Sequence, residues 1–255
     1  MNLSLKGKTA VVTGAAKGIG RSIAEKMAES GAAVGIIDFD KATGFAAQEE
    51  FTAKGYKCVF AAADVSNYES LVQAKQQLVD AFGKIDILVI NAGVSRKHTI
   101  AEIEPAEWER VISINLSGSF YTVKAFYDCF ADKKPEDEGR IIFVTSGSGI
   151  TGTGGGAHYA ASKSGQHGLM RTVSKEFGKN GVNVNAIAPR VIVTDLFDTL
   201  YPTEESKEQL MAKIPIGRFG YPEDIANIVL FLSCELADYM TGEVLIGDGG
   251  RMHIG

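Results

Sequence analysis

Tyr159 and Lys163 are the pair of residues whose types and spacing most directly suggest chemistry. They are four positions apart, so on a helix they lie on one face. A free phenol has a pKa near ~10 and is a poor base at neutral pH, whereas a cation one helical turn away favours the phenolate. We therefore expect Lys163 to lower the pKa of Tyr159 and the pair to transfer protons. The alternative is a helix-surface tyrosine beside a solvated lysine.

A glycine-rich turn at residues 13–20 follows a short apolar run and precedes a helical pattern. Glycines there permit a tight turn and a close approach of the backbone to a pyrophosphate at the helix N-terminus. The spacing is G-x-x-x-G-x-G and departs from G-x-G-x-x-G, and a tight turn without a ligand is the alternative. The turn residues expected to contact a dinucleotide are Gly14, Lys17, Gly18, Ile19 and Gly20.

Asp38 ends the second predicted strand, about twenty residues beyond the glycine-rich turn. A carboxylate at this position can bind the hydroxyls of the adenosine ribose and would repel a 2′-phosphate, which favours NAD over NADP. A helix-capping aspartate is the alternative. Lys17 is weak evidence for NADP, because a basic residue in the turn could bind a 2′-phosphate.

Further candidate cofactor contacts follow the third and fourth predicted strands. Asp64 and Val65 end the third strand, where they could contact adenine or form an ordinary turn. Asn91, Ala92 and Gly93 end the fourth strand, where small residues would leave room for a cofactor.

Seven apolar runs alternate with helical patterns, as expected for a parallel sheet that is covered on both faces. The predicted strands are 9–13, 34–38, 58–64, 85–91, 140–146, 182–188 and 243–246. Long loops at about 92–104, 147–158 and 190–215 all follow strands, so they lie at the carboxyl edge of the sheet, where α/β proteins bind ligands. The last loop is a candidate lid and contains Leu196, Phe197, Leu200 and Tyr201.

Composition narrows the class of partner. The chain has 255 residues, 45% of them hydrophobic, and a net charge of −5, which gives no reason to expect nucleic acid or an acidic membrane. The three cysteines, Cys58, Cys129 and Cys234, suit neither a disulfide framework nor a zinc site and are expected to be buried thiols. The N-terminal residues show no secretory signal, so we expect a cytoplasmic protein without a metal.

In order along nearly the whole chain, these segments resemble the short-chain dehydrogenase/reductase family. The matching positions are residues 13–20, Asp64-Val65, 91–93, Asn115, Ser146, Tyr159-x-x-x-Lys163, Pro189 and Thr194. The resemblance implies one Rossmann-like, doubly wound α/β domain over residues 1–255, with a seven-stranded parallel sheet flanked by helices. It also implies NAD(P)-dependent hydride transfer between an alcohol and a carbonyl, and a homotetramer.

The resemblance also assigns roles to individual residues. Tyr159 would be the general acid/base, and Lys163 would hold the nicotinamide ribose. Ser146 would bond the substrate oxygen as charge develops on it. Asn115 would position a water that passes protons from Lys163 to solvent. The expected contacts to the nicotinamide end are Pro189, Ile192 and Thr194.

Several basic residues depart from the family pattern or border its substrate loops. The family usually has Pro-Gly where this chain has Pro189-Arg190, and Arg190 is either a solvent-pointing side chain or a clamp for an anion. The basic cluster Arg96-Lys97-His98 follows the fourth strand, and His158 precedes Tyr159. Together they suggest a small polar substrate, with anionic compounds among the candidates. Residues 91–98 are also similar to gluconate 5-dehydrogenase-type members of the family.

Three functions therefore compete at this point. The first is an NAD-dependent dehydrogenase or reductase of a sugar acid, polyol or hydroxy acid. The second is a 3-oxoacyl-thioester reductase. Such enzymes often use NADPH, and Asp38 argues against that cofactor. The third is a catalytically retired NAD-binding sensor, which the presence of both Tyr159 and Lys163 disfavours.

Overall fold

The carboxyl edge of one parallel sheet organises the molecule. A computed structural model describes residues 3–194, 197 and 203–253, and Leu196, Leu200 and Tyr201 of the predicted lid lie outside this part. Within it, seven parallel strands form one sheet in the order β3-β2-β1-β4-β5-β6-β7. The strands are β1 Thr9–Thr13, β2 Ala33–Asp38, β3 Cys58–Ala62, β4 Ile87–Ile90, β5 Gly139–Val144, β6 Val182–Pro189 and β7 Val244–Gly247.

Helices connect the strands and cover both faces of the sheet. The first six are α1 Gly18–Glu29, α2 Lys41–Ala53, α3 Tyr68–Phe82, α4 Pro105–Ile112, α5 Gly118–Ala125 and α6 Tyr127–Ala131. They are followed by α7 Ser148–Thr151, α8 Gly156–Phe177, α9 Glu204–Met211 and α10 Pro222–Ser233. The predicted doubly wound α/β fold is confirmed.

The strands are apolar on both sides because each side of the sheet packs against helices. Every residue of β1 and β5 is buried. One apolar cluster contains Ile23 of α1 and Val229 of α10, and the other contains Leu71 of α3 and Met170 of α8. The sheet therefore forms a rigid base for the loops at its carboxyl edge.

Three strands end earlier than predicted, and the polar residues at their ends lie in loops. β3, β4 and β5 end at Ala62, Ile90 and Val144, one or two residues short of the prediction. The polar side chains that follow bond nearby backbone rather than continue the sheet. For example, the Asp64 carboxylate accepts the Ser66 N–H at 2.9 Å.

A π-helical turn at Ser113–Ser117 joins α4 to α5. Such turns occur where an extra residue is accommodated in a helix, often at functional sites. Asn115 lies at its centre and is fully buried. The turn thus places a polar side chain inside the protein, next to α8.

The described residues contain no helix that is both long and apolar enough to cross a bilayer. Nor do three His, Cys, Asp or Glu side chains come together in that part of the chain in a way that could hold a metal ion. Cys58 and Cys234 are buried, as predicted, whereas Cys129 is half-buried, and burial raises the pKa of the Cys58 thiol to about 12.

Candidate active site

A cleft of about 1560 Å³ opens at the carboxyl edge of the sheet. Loops after β1, β2, β3, β4, β5 and β6 all contribute to its wall. β1 lies between β2 and β4, so the strand order reverses there, which is where open α/β sheets bind ligands. The predicted residues that line the cleft are Gly14, Lys17, Ile19, Gly20, Asp38, Asp64, Val65, Asn91, Ala92, Gly93, Ser146, Tyr159, Lys163, Pro189, Arg190, Ile192 and Thr194.

The glycine-rich turn is packed so closely that a side chain at Gly14 or Gly20 would displace neighbouring atoms, whereas Gly18 has open space around it and a φ of +59°. Gly14 has φ +64°, and a Cβ there would lie 2.7 Å from Ala92 Cα. A Cβ at Gly20 would collide with the carbonyl oxygen of Gly14. Asn91 Nδ2 donates to the carbonyls of Thr13 and Gly14, both at 3.0 Å. These residues fit a dinucleotide, because the narrow turn leaves backbone N–H groups at the start of α1 open to a pyrophosphate.

Asp38 is fixed in this cleft by backbone hydrogen bonds. Its Oδ2 accepts the Ala16 N–H and its Oδ1 accepts the Asp40 N–H, both at 3.0 Å. Phe39 lies beside it, 77% exposed, and also lines the cleft. Sequence reasoning missed Phe39, although an aromatic residue directly after a strand-end carboxylate was a usable signal. An exposed ring here offers a face for adenine to stack on.

Ser146, Tyr159 and Lys163 lie in the middle of the cleft. Ser146 Oγ accepts the Ser148 N–H at 3.1 Å, which orients the hydroxyl just beyond β5, and the Ser146 and Tyr159 side chains are hydrogen-bonded. Lys163 Nζ donates to the Val144 carbonyl at 3.0 Å and lies 5.7 Å from the centroid of the Tyr159 ring. The residues predicted to act together are therefore brought together.

The protonation of this pair differs from the prediction. Burial raises the pKa of Tyr159, and its hydrogen bond to Ser146 offsets only part of that rise. Burial also lowers the pKa of Lys163, to about 8. The expectation that Lys163 would lower the pKa of Tyr159 is wrong for this structure, because loss of water disfavours both charged forms.

Asn115 joins the loop after β4 to the helix that carries Tyr159. Its Oδ1 accepts the Val94 N–H at 2.8 Å, and its Nδ2 donates to the Val94 carbonyl at 2.9 Å and to Ser162 Oγ at 3.1 Å. Its main-chain carbonyl accepts Gln166 Nε2 at 3.0 Å. Asn115 is thus a clamp within the site, and its role in holding a water stays a prediction.

Known proteins with similar sequences indicate the family of this chain. Residues 14–252 match the family described as Enoyl-(Acyl carrier protein) reductase. The chain is 38% identical over 251 residues to the 3-oxoacyl-[acyl-carrier-protein] reductase FabG of Aquifex aeolicus (strain VF5), with 98% of this chain and 99% of that protein covered. The chain belongs to the short-chain dehydrogenase/reductase family.

Two further relatives support the assignment over the full length. The (2S)-[(R)-hydroxy(phenyl)methyl]succinyl-CoA dehydrogenase subunit BbsD of Thauera aromatica is 36% identical over 249 residues, with 98% of each chain covered. The crystal structure of a putative gluconate dehydrogenase from Agrobacterium tumefaciens matches with a TM-score of 0.93 at 30% identity, covering 100% of both chains. This short-chain dehydrogenase/reductase is therefore an oxidoreductase of a family that uses NAD(P).

Arg190 makes a contact that neither interpretation of the sequence foresaw. Its guanidinium donates to Thr151 Oγ1 at 2.7 Å and to Thr153 Oγ1 at 2.6 Å. The Arg190 side chain therefore lines the cleft and also ties down the loop after β5, which forms part of the cleft wall.

The other basic residues predicted at the substrate do not line the cleft. His158 is fully buried and bonds Glu107 with Nε2 at 3.1 Å, so the predicted substrate contact is wrong. His98 Nδ1 lies 2.9 Å from the same carboxylate, and Arg96 is exposed away from the cleft wall. Lys97, which stands between Arg96 and His98 in the predicted basic cluster, does line the cleft. Three basic residues that sequence reasoning missed line it too: Arg110, Lys213 and Arg251. They come from three separate segments, so no spacing could have grouped them.

Proposed function

We propose that this protein transfers hydride between NAD(H) and the alcohol or carbonyl of a small anionic substrate. One observation carries the proposal. Tyr159, hydrogen-bonded to Ser146, and Lys163 face the same cleft as the glycine-rich turn and Asp38. A proton-transfer group and a dinucleotide cradle in one cleft suit alcohol oxidation and carbonyl reduction.

Each residue has a task in this reaction. When bound, the nicotinamide accepts or supplies the hydride. Tyr159 takes the proton from the substrate hydroxyl during oxidation and returns it during reduction. Ser146 donates a hydrogen bond to the substrate oxygen while negative charge develops on it. Lys163 would hold the nicotinamide ribose hydroxyls, and Pro189, Ile192 and Thr194 would contact the nicotinamide end of the cofactor.

Asp38 supports NAD as the preferred cofactor. Its carboxylate is held at the end of β2 by two backbone N–H groups, so it cannot easily turn away from the ribose. A 2′-phosphate at that ribose would meet this charge, whereas free hydroxyls would donate to it. Lys17 also lines this end of the cleft, which is the opposing feature.

The distribution of charge along the cleft supports an anionic substrate. Among the described lining residues, the carboxylates are Asp38, Asp40 and Asp64, all beyond β2 and β3 at the nucleotide end. The loops after β4 and β6, helix α4, the turn after α9 and the C-terminal segment supply Lys97, Arg110, Arg190, Lys213 and Arg251. The part of the cleft that carries only positive charge would concentrate anionic ligands. Sugar acids and hydroxy acids have the required chemistry.

A second candidate is reduction of a 3-oxoacyl thioester. The relatives named as an acyl-carrier-protein reductase and as a CoA-thioester dehydrogenase favour it. Phosphate groups on such carriers would also suit the basic part of the cleft. The retired NAD-binding sensor is disfavoured, because Ser146, Tyr159 and Lys163 are all in place. A single domain, a homotetramer and a cytoplasmic location stay predictions.

A spectrophotometric screen tests these proposals. The purified protein is given NAD or NADP with paired alcohols that differ in one carboxylate, phosphate or sulfonate, and reduced nicotinamide is followed. We expect turnover with NAD, confined to the anionic members. Turnover of neutral alcohols alone contradicts the anionic substrate, and turnover with NADP alone contradicts the role of Asp38. Faster reduction of acetoacetyl thioesters than of any keto acid establishes the second candidate.

A further inference from the structure

Glu107 accepts hydrogen bonds from two histidines that lie in different segments. His158, in the first turn of α8, places Nε2 3.1 Å from Oε1, and His98, in the loop before α4, places Nδ1 2.9 Å from Oε2. His158 is fully buried, and the Glu107 side chain is 17% exposed. Glu107 thus joins three segments beside the cleft without lining it.

The tautomer of His158 follows from its other contact. The backbone N–H of Tyr159 donates to His158 Nδ1 at 2.8 Å. A backbone N–H can only donate, so Nδ1 presents its lone pair and the neutral ring carries its proton on Nε2. That proton faces Glu107, whose Oε1 accepts it. In agreement, the hydrogen bond from His158 is the main cause that lowers the pKa of Glu107.

The sequence at the start of α8 does little to fix the backbone there. Gly154, Gly155 and Gly156 precede Tyr159 with φ values of +81°, +82° and +77°, and the helix has no side-chain cap at its N-cap. Glycines leave the backbone many alternative conformations. His158 is the next residue but one along the chain, and its ring satisfies the N–H of Tyr159 itself. The position of the phenol therefore depends on a ring that Glu107 holds.

The Glu107 carboxylate also bonds His98 in the loop that follows β4. A Cβ at Gly156 would lie 2.9 Å from the His98 carbonyl oxygen, so this loop and the start of α8 are in close contact. Ser95 and Lys97 of the loop line the cleft. A shift at Glu107 would consequently reach both Tyr159 and the substrate wall.

We propose that Glu107 and His158 are positioning residues, which fix the first turn of α8 so that the Tyr159 phenol is held against the reacting oxygen. The inference rests on the proposed function for the role of Tyr159. A misplacement of the reacting group on the order of 1 Å can lower the rate about 100-fold. A small shift of the Tyr159 phenol would therefore lower kcat measurably.

Four substitutions separate positioning from simple packing. Glu107→Gln removes the charge and keeps the shape. His158→Asn keeps an acceptor where Nδ1 lies but cannot reach Glu107, and His158→Leu removes both contacts. Glu109→Gln is the matched control, because Glu109 is an exposed carboxylate on the same helix.

We expect Glu107→Gln to lower kcat by roughly 10- to 100-fold, with KM and the NADH dissociation constant within about twofold of the wild type. His158→Asn should retain more activity than His158→Leu, and Glu109→Gln should match the wild type. Unchanged kcat in Glu107→Gln, or equal activity of the Asn and Leu variants, overturns the proposal. A loss in Glu109→Gln equal to that in Glu107→Gln also overturns it.

Two measurements that need no turnover keep this test separate from the proposed function. Long-range ¹H–¹⁵N spectra of protein with labelled histidine should show His158 neutral and protonated on Nε2, assigned among four histidines by its loss in His158→Asn. Hydrogen exchange at the Tyr159 amide should be at least about tenfold faster in Glu107→Gln and His158→Leu. A proton on Nδ1, or unchanged exchange, refutes the positioning role even if the wild type proves active.

Discussion

Lys163 Nζ donates a hydrogen bond to the main-chain carbonyl of Val144 at 3.0 Å. This contact ties the ammonium on α8 to the last residue of β5, two positions before Ser146. Since Ser146 is itself bonded to Tyr159, one strand end and one helix face fix all three groups. The end of β5 and the first turns of α8 therefore set the geometry of the candidate site.

Replacing Tyr159 with Phe tests the acid/base role. The variant keeps the ring and its packing and loses only the hydroxyl that moves the proton. We expect kcat to fall by about 10²- to 10⁴-fold, the usual contribution of general acid–base catalysis. Steady-state kinetics give kcat, and fluorescence titration gives the NADH dissociation constant, which should change little. Near-normal turnover in this variant would refute the mechanism.

Asp38→Asn tests the choice of cofactor. The amide keeps the shape of the side chain but removes the charge that would repel a 2′-phosphate. A charge pair at ~4 Å with an effective dielectric of ~20 is worth about 4 kcal/mol, and screening by solvent reduces this. We expect the ratio of kcat/KM for NAD to that for NADP to fall at least about tenfold. An unchanged ratio would assign the preference to another residue.

The fold could be predicted from the sequence because its causes are local. Apolar runs bounded by turns define the strands, and parallel strands place their carboxyl ends together. Asp38, Asn91 and Ser146 were found for the same reason, since each lies at the end of a strand or within two residues beyond it. The ends of β3, β4 and β5 were placed one or two residues too far, because side-chain bonds to the loop backbone compete with the ladder.

The contacts that sequence reasoning missed are long-range and depend on rotamers. Arg190 bonds threonines 37 and 39 residues earlier, and His158 bonds Glu107 51 residues earlier. The direction of the pKa change at Tyr159 depends on burial, which no four-residue spacing reports. A basic residue near a predicted cleft thus identifies a region but not a contact.

Arg190 is expected to affect substrate binding by holding the loop after β5 in place. Hydrogen bonds to a charged group contribute about 1.5–3 kcal/mol when shielded from solvent and less at this half-exposed site. We therefore expect Arg190→Gln, and the double variant Thr151→Val with Thr153→Val, each to raise KM by roughly three- to tenfold. Combining all three changes should add little, since they remove the same interaction.

The competing anion clamp gives a different pattern in the same measurements. In that case Arg190→Gln raises KM for substrates with a carboxylate only, and the threonine variants leave KM unchanged. KM values for paired anionic and neutral alcohols, measured on all four proteins, therefore decide between a loop clamp and an anion clamp.

Burial of Lys163 predicts a characteristic dependence of stability on pH. The folded protein releases the Lys163 proton near its pKa of about 8, whereas an unfolded chain releases it near the ordinary value of 10.5. Between these values the unfolded state binds more protons, so the contribution of this residue to the free energy of unfolding rises with pH. Below pH 8 the ammonium is charged in both states, and the cost of burying that charge is present in full.

Comparison with Lys163→Met isolates this contribution from other titrating groups. Urea denaturation at pH 7, 8, 9 and 10 should show the free energy of unfolding of the wild type rising, relative to the variant, by about 2–3 kcal/mol between pH 8 and pH 10. Lys175→Met is the matched control, because Lys175 is exposed on the same helix, and its difference from the wild type should stay flat. A flat difference for Lys163→Met would mean that the ammonium keeps its proton in the folded protein. In that case the positive charge near Tyr159 would persist above pH 8, and the phenolate would be favoured as the sequence alone suggests.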